Sequence, residues 1–485
     1  MRTNAKYVFS TVLALFLSVT TVSCTGEETK RKELGEEQIK ENFNNEVSKV
    51  SLSKDSLNGA IHSVVASSKD ADISSALDSI HISNTKASIT NTIGENVTSY
   101  DAYAWQKEDK IYLGGLVDEV PAVSYVDLGT IKESISNIGS VEVPDIGEES
   151  IDYVGLLLSS LDVNIDLDQY LSKIKFSLTD FEFDYENKTF TFTKEKLVEK
   201  VSEVLGITDP TTKNMISTYL GEFSFKIGYD GYNFNEYKLV LKPNLSVSLE
   251  SFNPNAKADL SIEADLKLNH NLEDEITSSS LTIDVNYSSS SSYSYGGYDF
   301  SNKTTSSFSF KAESTIDKVN MSIDSSSEAK VVSPYIDETF GTFESMTSED
   351  SSKVKMTMAQ DNVKKTLNVN GSVEQSYSST VGKETEEYSN KTELALETSE
   401  SSIDLSIKNN DKEVVSLKAN HVSEALSVEF TYTSYNEEDA TLNEVTKVVI
   451  TNDNVTIPSS YTDLESSAID LTQQIIDSLG SVTIG

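Results

Sequence analysis

The stretch Leu260-Ser261-Ile262-Glu263-Ala264-Asp265-Leu266-Lys267-Leu268 alternates strictly between apolar and polar residues. Because successive side chains of a β-strand point to opposite faces, this pattern predicts a strand with one buried and one solvated face. Similar runs recur from residue 245 to residue 457, where helical periodicity is absent. The sequence therefore predicts an antiparallel meander of long strands. Further runs of this kind cover Leu281–Tyr287, Phe308–Ala312, Val319–Ile323, Val354–Met358, Ile403–Ile407 and Leu426–Tyr432.

Three hairpins are predicted ahead of this meander, and two of them are rich in phenylalanine. Phe176–Phe192 alternates around Glu186-Asn187-Lys188, and Phe223–Phe234 alternates around the turn dipeptide Asp230-Gly231. The third hairpin joins Tyr100–Trp105 to Lys110–Leu116. Within the meander, the serine-rich composition of Ser288–Gly297 predicts a low-complexity loop.

Helices are predicted mainly in the first half of the chain, from apolar residues at three- and four-residue spacing. Two of them have clear start and stop signals, with Thr193 and Asp209 as N-caps and Gly206 and Gly221 directly after the last turn. The predicted helices, with their caps, are Gln38–Ser67, Ser150–Leu161, Thr193–Leu205, Asp209–Leu220 and, at the end of the chain, Thr462–Leu479.

The first residues of the chain follow a recognisable order of charged, apolar and small residues. Arg2 and Lys6 precede an apolar run from Tyr7 to Val19, and small residues follow it. This order is typical of a secretory signal peptide, and the run is too short for a transmembrane helix. Cys24, the only cysteine of the chain, stands directly behind it. No disulfide can form within the chain, and an exposed free thiol would be reactive in an oxidising compartment.

The residues Val22-Ser23-Cys24 resemble the lipobox of bacterial lipoproteins, although Thr21 stands where that family has leucine or a similar aliphatic residue. The resemblance implies that residues 1–23 are removed and that Cys24 receives a diacylglyceryl group. Ordinary signal peptidase cleavage is the alternative, because Thr21 and Ser23 also satisfy its small-x-small rule. Acylation implies attachment to the extracytoplasmic face of the cell membrane through the acyl chains. The polar stretch Thr25–Glu37 suits a tether.

We therefore predict an α+β, β-rich fold, in which a large curved antiparallel sheet carries helices packed in the N-terminal half and a C-terminal helix. The predicted organisation is a signal peptide at 1–23, a lipid-anchored tether and helical segment at 24–80, an α+β region with aromatic hairpins at 81–255, and the β meander with its C-terminal helix at 256–485.

The charge balance restricts the partners. The chain has 39 Lys and Arg residues against 78 Asp and Glu residues, a formal net charge of −39. This charge argues against nucleic acid and against electrostatic docking on anionic lipid head groups. Because no calcium-binding loop motif is present, we interpret the acidity as a solvated surface.

Catalytic signatures are missing from the sequence. It has no GxSxG, HExxH or P-loop motif, and its four histidines are scattered. We therefore predict a protein that is not an enzyme, with no cofactor and no metal site. A carboxylate pair acting in hydrolysis stays open as an alternative, since acidic residues are abundant. Trp105 and the many tyrosines are interpreted as cross-strand pairs, with a ligand-binding platform as the alternative.

The layout over roughly Tyr100–Tyr461 is similar to that of the half-barrel lipid-carrier lipoproteins, which implies a sheet wrapped around helices and an apolar cavity. The candidate cavity-lining residues are Phe181, Phe183, Phe190, Phe192, Phe223 and Phe225. A solid core built from the same residues is the alternative. The predicted function is a non-catalytic, membrane-anchored, extracytoplasmic lipoprotein that binds an apolar ligand or a cell-envelope component. The alternatives are an anchored hydrolase and a purely structural surface protein or adhesin.

Overall fold

A computed structural model describes residues 35–47, 84–117, 120–130, 175–229, 234–244, 255–270, 276–295, 298–337, 342–422, 425–435 and 442–473. Five predicted features lie outside these residues: the signal peptide, Cys24, most of the tether, the helix Ser150–Leu161 and the Asp230-Gly231 turn. The predicted helix Gln38–Ser67 is confirmed as far as Val47, and the remainder lies outside the described residues.

The predicted α+β, β-rich fold class is confirmed, since the described residues form twenty strands, paired mainly antiparallel, and few helices. The strands are β1 Thr85–Ile93, β2 Asn96–Lys107, β3 Lys110–Val117, β4 Val120–Asp127, β5 Glu182–Asp184, β6 Thr189–Thr193, β7 Glu222–Tyr229, β8 Phe234–Lys242, β9 Lys257–His270, β10 Ile276–Tyr295, β11 Tyr298–Thr315, β12 Lys318–Asp337, β13 Thr342–Asp361, β14 Thr366–Val381, β15 Glu384–Ser399, β16 Ser402–Asn409, β17 Lys412–Val422, β18 Ala425–Tyr435, β19 Leu442–Asn454 and β20 Ile469–Asp470.

The helices that lie wholly within the described residues are α1 Glu36–Val47, α2 Lys194–Leu205, α3 Pro210–Leu220 and the short α4 Ser459–Thr462. Two 3-10 turns, Leu178–Asp180 and Glu465–Ser467, accompany them.

The described residues divide into two compact units, for which the boundaries are given as ranges of the chain. Unit 1 comprises Met1–Lys69, Val143–Ser352 and Ser376–Tyr388, and unit 2 comprises Asp70–Glu142, Lys353–Gln375 and Ser389–Gly485.

In unit 1, the strands from β5 to β12 each pair antiparallel with the next strand along the chain. The alternation in β9 is confirmed. Ile262, Ala264 and Leu266 are buried, whereas Glu263 and Lys267 are exposed. The buried face of these strands joins α1, α2 and α3 in one hydrophobic core. The one-faced helices thus cover the apolar face of the sheet, as their periodicity requires.

The capping signals of α2 are confirmed. The Thr193 side chain accepts a hydrogen bond from the Lys196 backbone N–H, and Gly206 ends the helix in the left-handed conformation, with φ of 66°. This conformation carries little steric cost in glycine, which has no Cβ.

The start and end of α3 are confirmed in the same way. Asp209 accepts a hydrogen bond from the Thr212 backbone N–H at 2.8 Å, and Pro210 occupies the first turn. Gly221 ends the helix, with φ of 61°. Hydrogen bonds from the Thr212 side chain and backbone lower the pKa of the Asp209 carboxyl. The capping group is therefore ionised at neutral pH, which suits the positive end of a helix.

In unit 2, β16 to β19 form a consecutive meander, and β1 pairs with β19 beyond it. β2, β3 and β4 then follow β1, which confirms the predicted hairpin between β2 and β3. The pairing of β1 with β19 joins segments from opposite ends of the sequence, with Ile93 opposite Glu444.

The predicted loop Ser288–Gly297 is wrong over its described residues. β10 continues to Tyr295 and pairs with β11 along this whole stretch, while Ser288, Ser289 and Ser290 also pair with β9. Because backbone hydrogen bonds to neighbouring strands hold the segment, its serine-rich composition does not break the strand. The rings of Tyr293 and Phe300 stack across the β10–β11 pair, with their centroids 4.6 Å apart.

A short C-terminal helix is confirmed, but its predicted extent of Thr462–Leu479 is wrong from Asp463 to Asp470. The helix α4 ends at Thr462, and β20 pairs parallel with β4. Side-chain hydrogen bonds favour this alternative conformation. The Tyr125 hydroxyl donates to Asp470 Oδ2 at 2.7 Å, and the Asp127 backbone N–H donates to Thr472 Oγ1 at 2.8 Å.

Candidate functional site

The six candidate phenylalanines lie together in unit 1. All are buried except Phe183, which is partly buried against the same core. Direct ring contacts join Phe181 to Phe192, Phe183 to Phe190, and Phe192 to Phe223. The centroid distances are 5.3 Å between Phe181 and Phe192, 4.5 Å between Phe183 and Phe190, and 6.1 Å between Phe192 and Phe223. We call these six residues the phenylalanine cluster.

Helix α1 packs against the phenylalanine cluster. The Phe43 ring stacks on Phe190 with centroids 3.7 Å apart, and it meets Phe181 edge-on at 4.9 Å. Ile39 and Val47, one turn to either side, are buried in the same core. The cluster is thus part of a packed core that α1 helps to form. Its role in holding a ligand stays a prediction.

A second feature of unit 1 is a groove with a cavity volume of about 650 Å³. None of its residues was predicted from the sequence to belong to a site. Its lining residues come from β8 to β12 and from the two positions that follow β8. They are Lys242, Pro243, Asn244, Asp259, Leu260, Ser261, Asn286, Tyr287, Ser288, Thr305, Ser306, Ser307, Ser326 and Glu328.

Strand register arranges eight of these residues in two cross-strand rows. Residues directly opposite one another in antiparallel strands point to the same face, and so do residues two positions apart along a strand. The first row is Asp259, Ser288, Thr305 and Glu328, and the second row is Ser261, Asn286, Ser307 and Ser326. The spacings of β-sheets place the rows about 7 Å apart and make each row about 14 Å long.

The two rows lie on the sheet face opposite the hydrophobic core. Between the two rows, Tyr287 pairs with Leu260 on one side and with Ser306 on the other. Because these residues alternate with those of the rows along each strand, their side chains point to the other face. Leu260 is partly buried against the core of unit 1, which agrees with this orientation. These three residues therefore contribute backbone to the groove floor, and the side chains that face the groove from the rows are hydroxyls, an amide and carboxylates.

Lys242 adds a positive charge at one side of the groove. Leu241 pairs with Ile262, and Lys242 and Ser261 are the next residues on these two antiparallel strands. Lys242 therefore extends the second row onto β8. Its Nζ lies 3.0 Å from Glu263 Oε1 and 3.8 Å from Glu222 Oε2. The hydrogen bond with Glu263, followed by the charge of Glu222, raises the pKa of Lys242. The groove cation is thus already paired with carboxylates of the protein.

The two groove carboxylates belong to strands that are three interstrand spacings apart. Asp259 and Glu328 occupy opposite ends of the first row. Three interstrand spacings place their Cα positions about 14 Å apart, whereas the carboxylates of glycoside hydrolases lie roughly 5–10 Å apart. Within the part of the chain that the structure describes, no group of three potential metal-binding side chains occurs. The arrangement offers hydrogen bonds to a ligand without a matched acid and base.

Trp105 lies in unit 2 and is buried. It stands opposite Tyr112, which in turn stands opposite Tyr125, so the three aromatic residues form a cross-strand row. The Trp105 and Tyr112 rings stack with centroids 5.4 Å apart, and the indole N–H donates to Glu465 Oε1 at 3.0 Å. This packing supports the interpretation of Trp105 as a cross-strand pair.

Comparison of the chain with protein-family models, with curated proteins and with solved structures finds no match. Over the described ranges, no helix is both long and apolar enough to cross a membrane.

Proposed function

We propose that this protein is a membrane-anchored, extracytoplasmic lipoprotein that binds a cell-envelope component and does not act as an enzyme. The observation that carries the proposal is the groove floor, where eight polar side chains form two rows across four neighbouring strands. Its volume of about 650 Å³ falls in the range of ligand-binding sites. The wide separation of its carboxylates supports binding rather than hydrolysis.

The anchor would hold unit 1 close to the membrane. Cys24 precedes α1 by a short segment, and α1 is fixed in the core through Phe43. A fully extended chain spans at most about 3.5 Å per residue, so residues 25–35 would reach no farther than about 40 Å. A groove on this unit would therefore meet ligands near the membrane surface. Anchoring needs the acyl chains, since the net charge of −39 repels anionic head groups.

We predict that Cys24 carries the lipid. Metabolic labelling with a fatty-acid analogue should label the wild-type chain and leave the Cys24→Ala chain unlabelled, because no other cysteine is present. Thr25→Ala is the matched control and should label like wild type. Equal labelling of the wild-type and Cys24→Ala chains would contradict the anchor.

We further predict that the groove binds envelope material. The chain from Thr25 onward should sediment with washed envelopes of the source cells, and Asn286→Arg should abolish this by filling the centre of the second row. Asn320→Arg is the matched control, because Asn320 is exposed on the same face and lies outside the groove. Equal sedimentation of both variants would rule out the groove as the binding surface.

An apolar ligand is a second candidate, favoured by the position of α1. Ile39, Phe43 and Val47 lie in the core that contains the phenylalanine cluster, so displacement of α1 would uncover aromatic rings. A fluorescent fatty acid should then bind the Phe43→Asp chain more strongly than the wild-type chain from Thr25 onward. Absence of uptake by both chains would leave the cluster as a solid core.

A further inference from the structure

We infer that the groove binds an uncharged oligosaccharide, which lies along the two cross-strand rows and crosses the strands. This inference rests on the proposed function and specifies the chemical class of the ligand.

Hydrogen-bonding capacity is the first argument. Ser288, Thr305 and Asn286 each offer both a donor and an acceptor. Sugar hydroxyls also donate and accept, so they can pair with every one of these groups. The Ser307 and Ser326 hydroxyls lie 2.8 Å apart and form one hydrogen bond with each other, which leaves acceptor capacity for a ligand. A ligand with acceptors only would leave the carboxylates of the first row unmatched.

Charge is the second argument. The Asp259 and Glu328 side chains have no hydrogen-bond or ion-pair partner among the described residues, whereas Lys242 is paired with Glu263. The groove and the whole chain are therefore negative, and an anionic chain would be repelled. Hydroxyl groups can donate to these two carboxylates, forming charge-assisted hydrogen bonds without added charge.

Regular spacing is the third argument. The polar groups repeat at the interstrand distance of about 4.8 Å in two parallel rows. Such a repeat suits a chain whose hydroxyl groups also repeat at regular intervals. Because the side chains between the rows point away, no aromatic ring stacks on the sugar from the floor. We therefore expect weak binding, with a Kd on the order of 0.1–1 mM.

The test is calorimetric titration of the chain from Thr25 onward with neutral hexasaccharides of glucose and of N-acetylglucosamine, and with an oligogalacturonate as the anionic probe. At least one neutral hexasaccharide should bind, and the oligogalacturonate should not. Asn286→Ala should weaken binding about five-fold or more, since it removes a donor and an acceptor at the centre of the floor. Asn320→Ala should bind like wild type.

Three results would overturn the inference: no binding of any neutral hexasaccharide, tighter binding of the oligogalacturonate, or equal affinity of the Asn286→Ala and wild-type chains. If one of these results is found but the wild-type chain still sediments with envelopes in an Asn286-dependent manner, the oligosaccharide inference is wrong and the proposed function is retained. If that sedimentation is also absent, the oligosaccharide inference and the proposed function are both wrong.

Discussion

Phe190→Ala is expected to destabilise unit 1 by about 3–5 kcal/mol, the usual cost of removing a fully buried aromatic ring. The Phe190 side chain is 0 % exposed, and its ring stacks on both Phe43 and Phe183. Its removal would open a cavity between β6 and α1, which a packed core closes only in part. Urea unfolding followed by far-ultraviolet circular dichroism measures the loss.

The matched control is Phe308→Ala in β11 of the same unit. Its side chain is 39 % exposed, so its removal should cost much less than that of Phe190. Equal losses for the two variants would contradict the packed core, and a negligible loss for Phe190→Ala would indicate a loose, cavity-like site.

Gly221→Ala is expected to cost about 3 kcal/mol or more. The glycine has φ of 61° and ψ of −116°, a conformation that residues with a side chain rarely adopt. A Cβ at this position would also lie 2.1 Å from the Lys242 carbonyl oxygen, which belongs to the backbone and cannot rotate away. The end of α3 or the end of β8 must therefore shift. Because Lys242 lines the groove, the substitution should weaken ligand binding as well.

Gly206→Ala is the control for this effect. Gly206 also has a positive φ, 66°, but no heavy atom lies within 4 Å of the point that a Cβ would occupy there. Its substitution should cost only about 1 kcal/mol, from backbone conformation alone. Equal destabilisation by the two substitutions would show that the contact between the new Cβ and the Lys242 carbonyl oxygen does not contribute to the loss of stability.

Local features of the fold were predictable from the sequence. The alternation of Leu260–Leu268 and the caps Thr193 and Asp209 depend on neighbouring residues only, and the structure confirms them. The pairing of β1 with β19 was not predictable, because no local signal specifies which distant strand completes a sheet. The error at Ser288 has the same origin, since pairing on both sides overrides its loop-like composition.

The candidate site was harder to predict than the fold. Burial of phenylalanines follows from their hydrophobicity, so their common location could be inferred without knowing the strand register. The groove has no such signal. Asn286 and Ser307 are ordinary polar residues in the sequence, and they become neighbours only through the register between β10 and β11. Serine, threonine and asparagine on the polar face of successive strands were the available hint.

The most direct test of the central claim is nuclear magnetic resonance of the side-chain amides in asparagine-labelled protein, titrated with the neutral hexasaccharides. The signals of Asn286 and Asn244, identified by their loss in alanine variants, should shift with ligand concentration, because both residues line the groove. The signals of Asn320, and of Asn44 on α1, should stay unchanged. Shifts confined to Asn44, or no shift at Asn286 with a ligand that binds, would contradict binding in the groove.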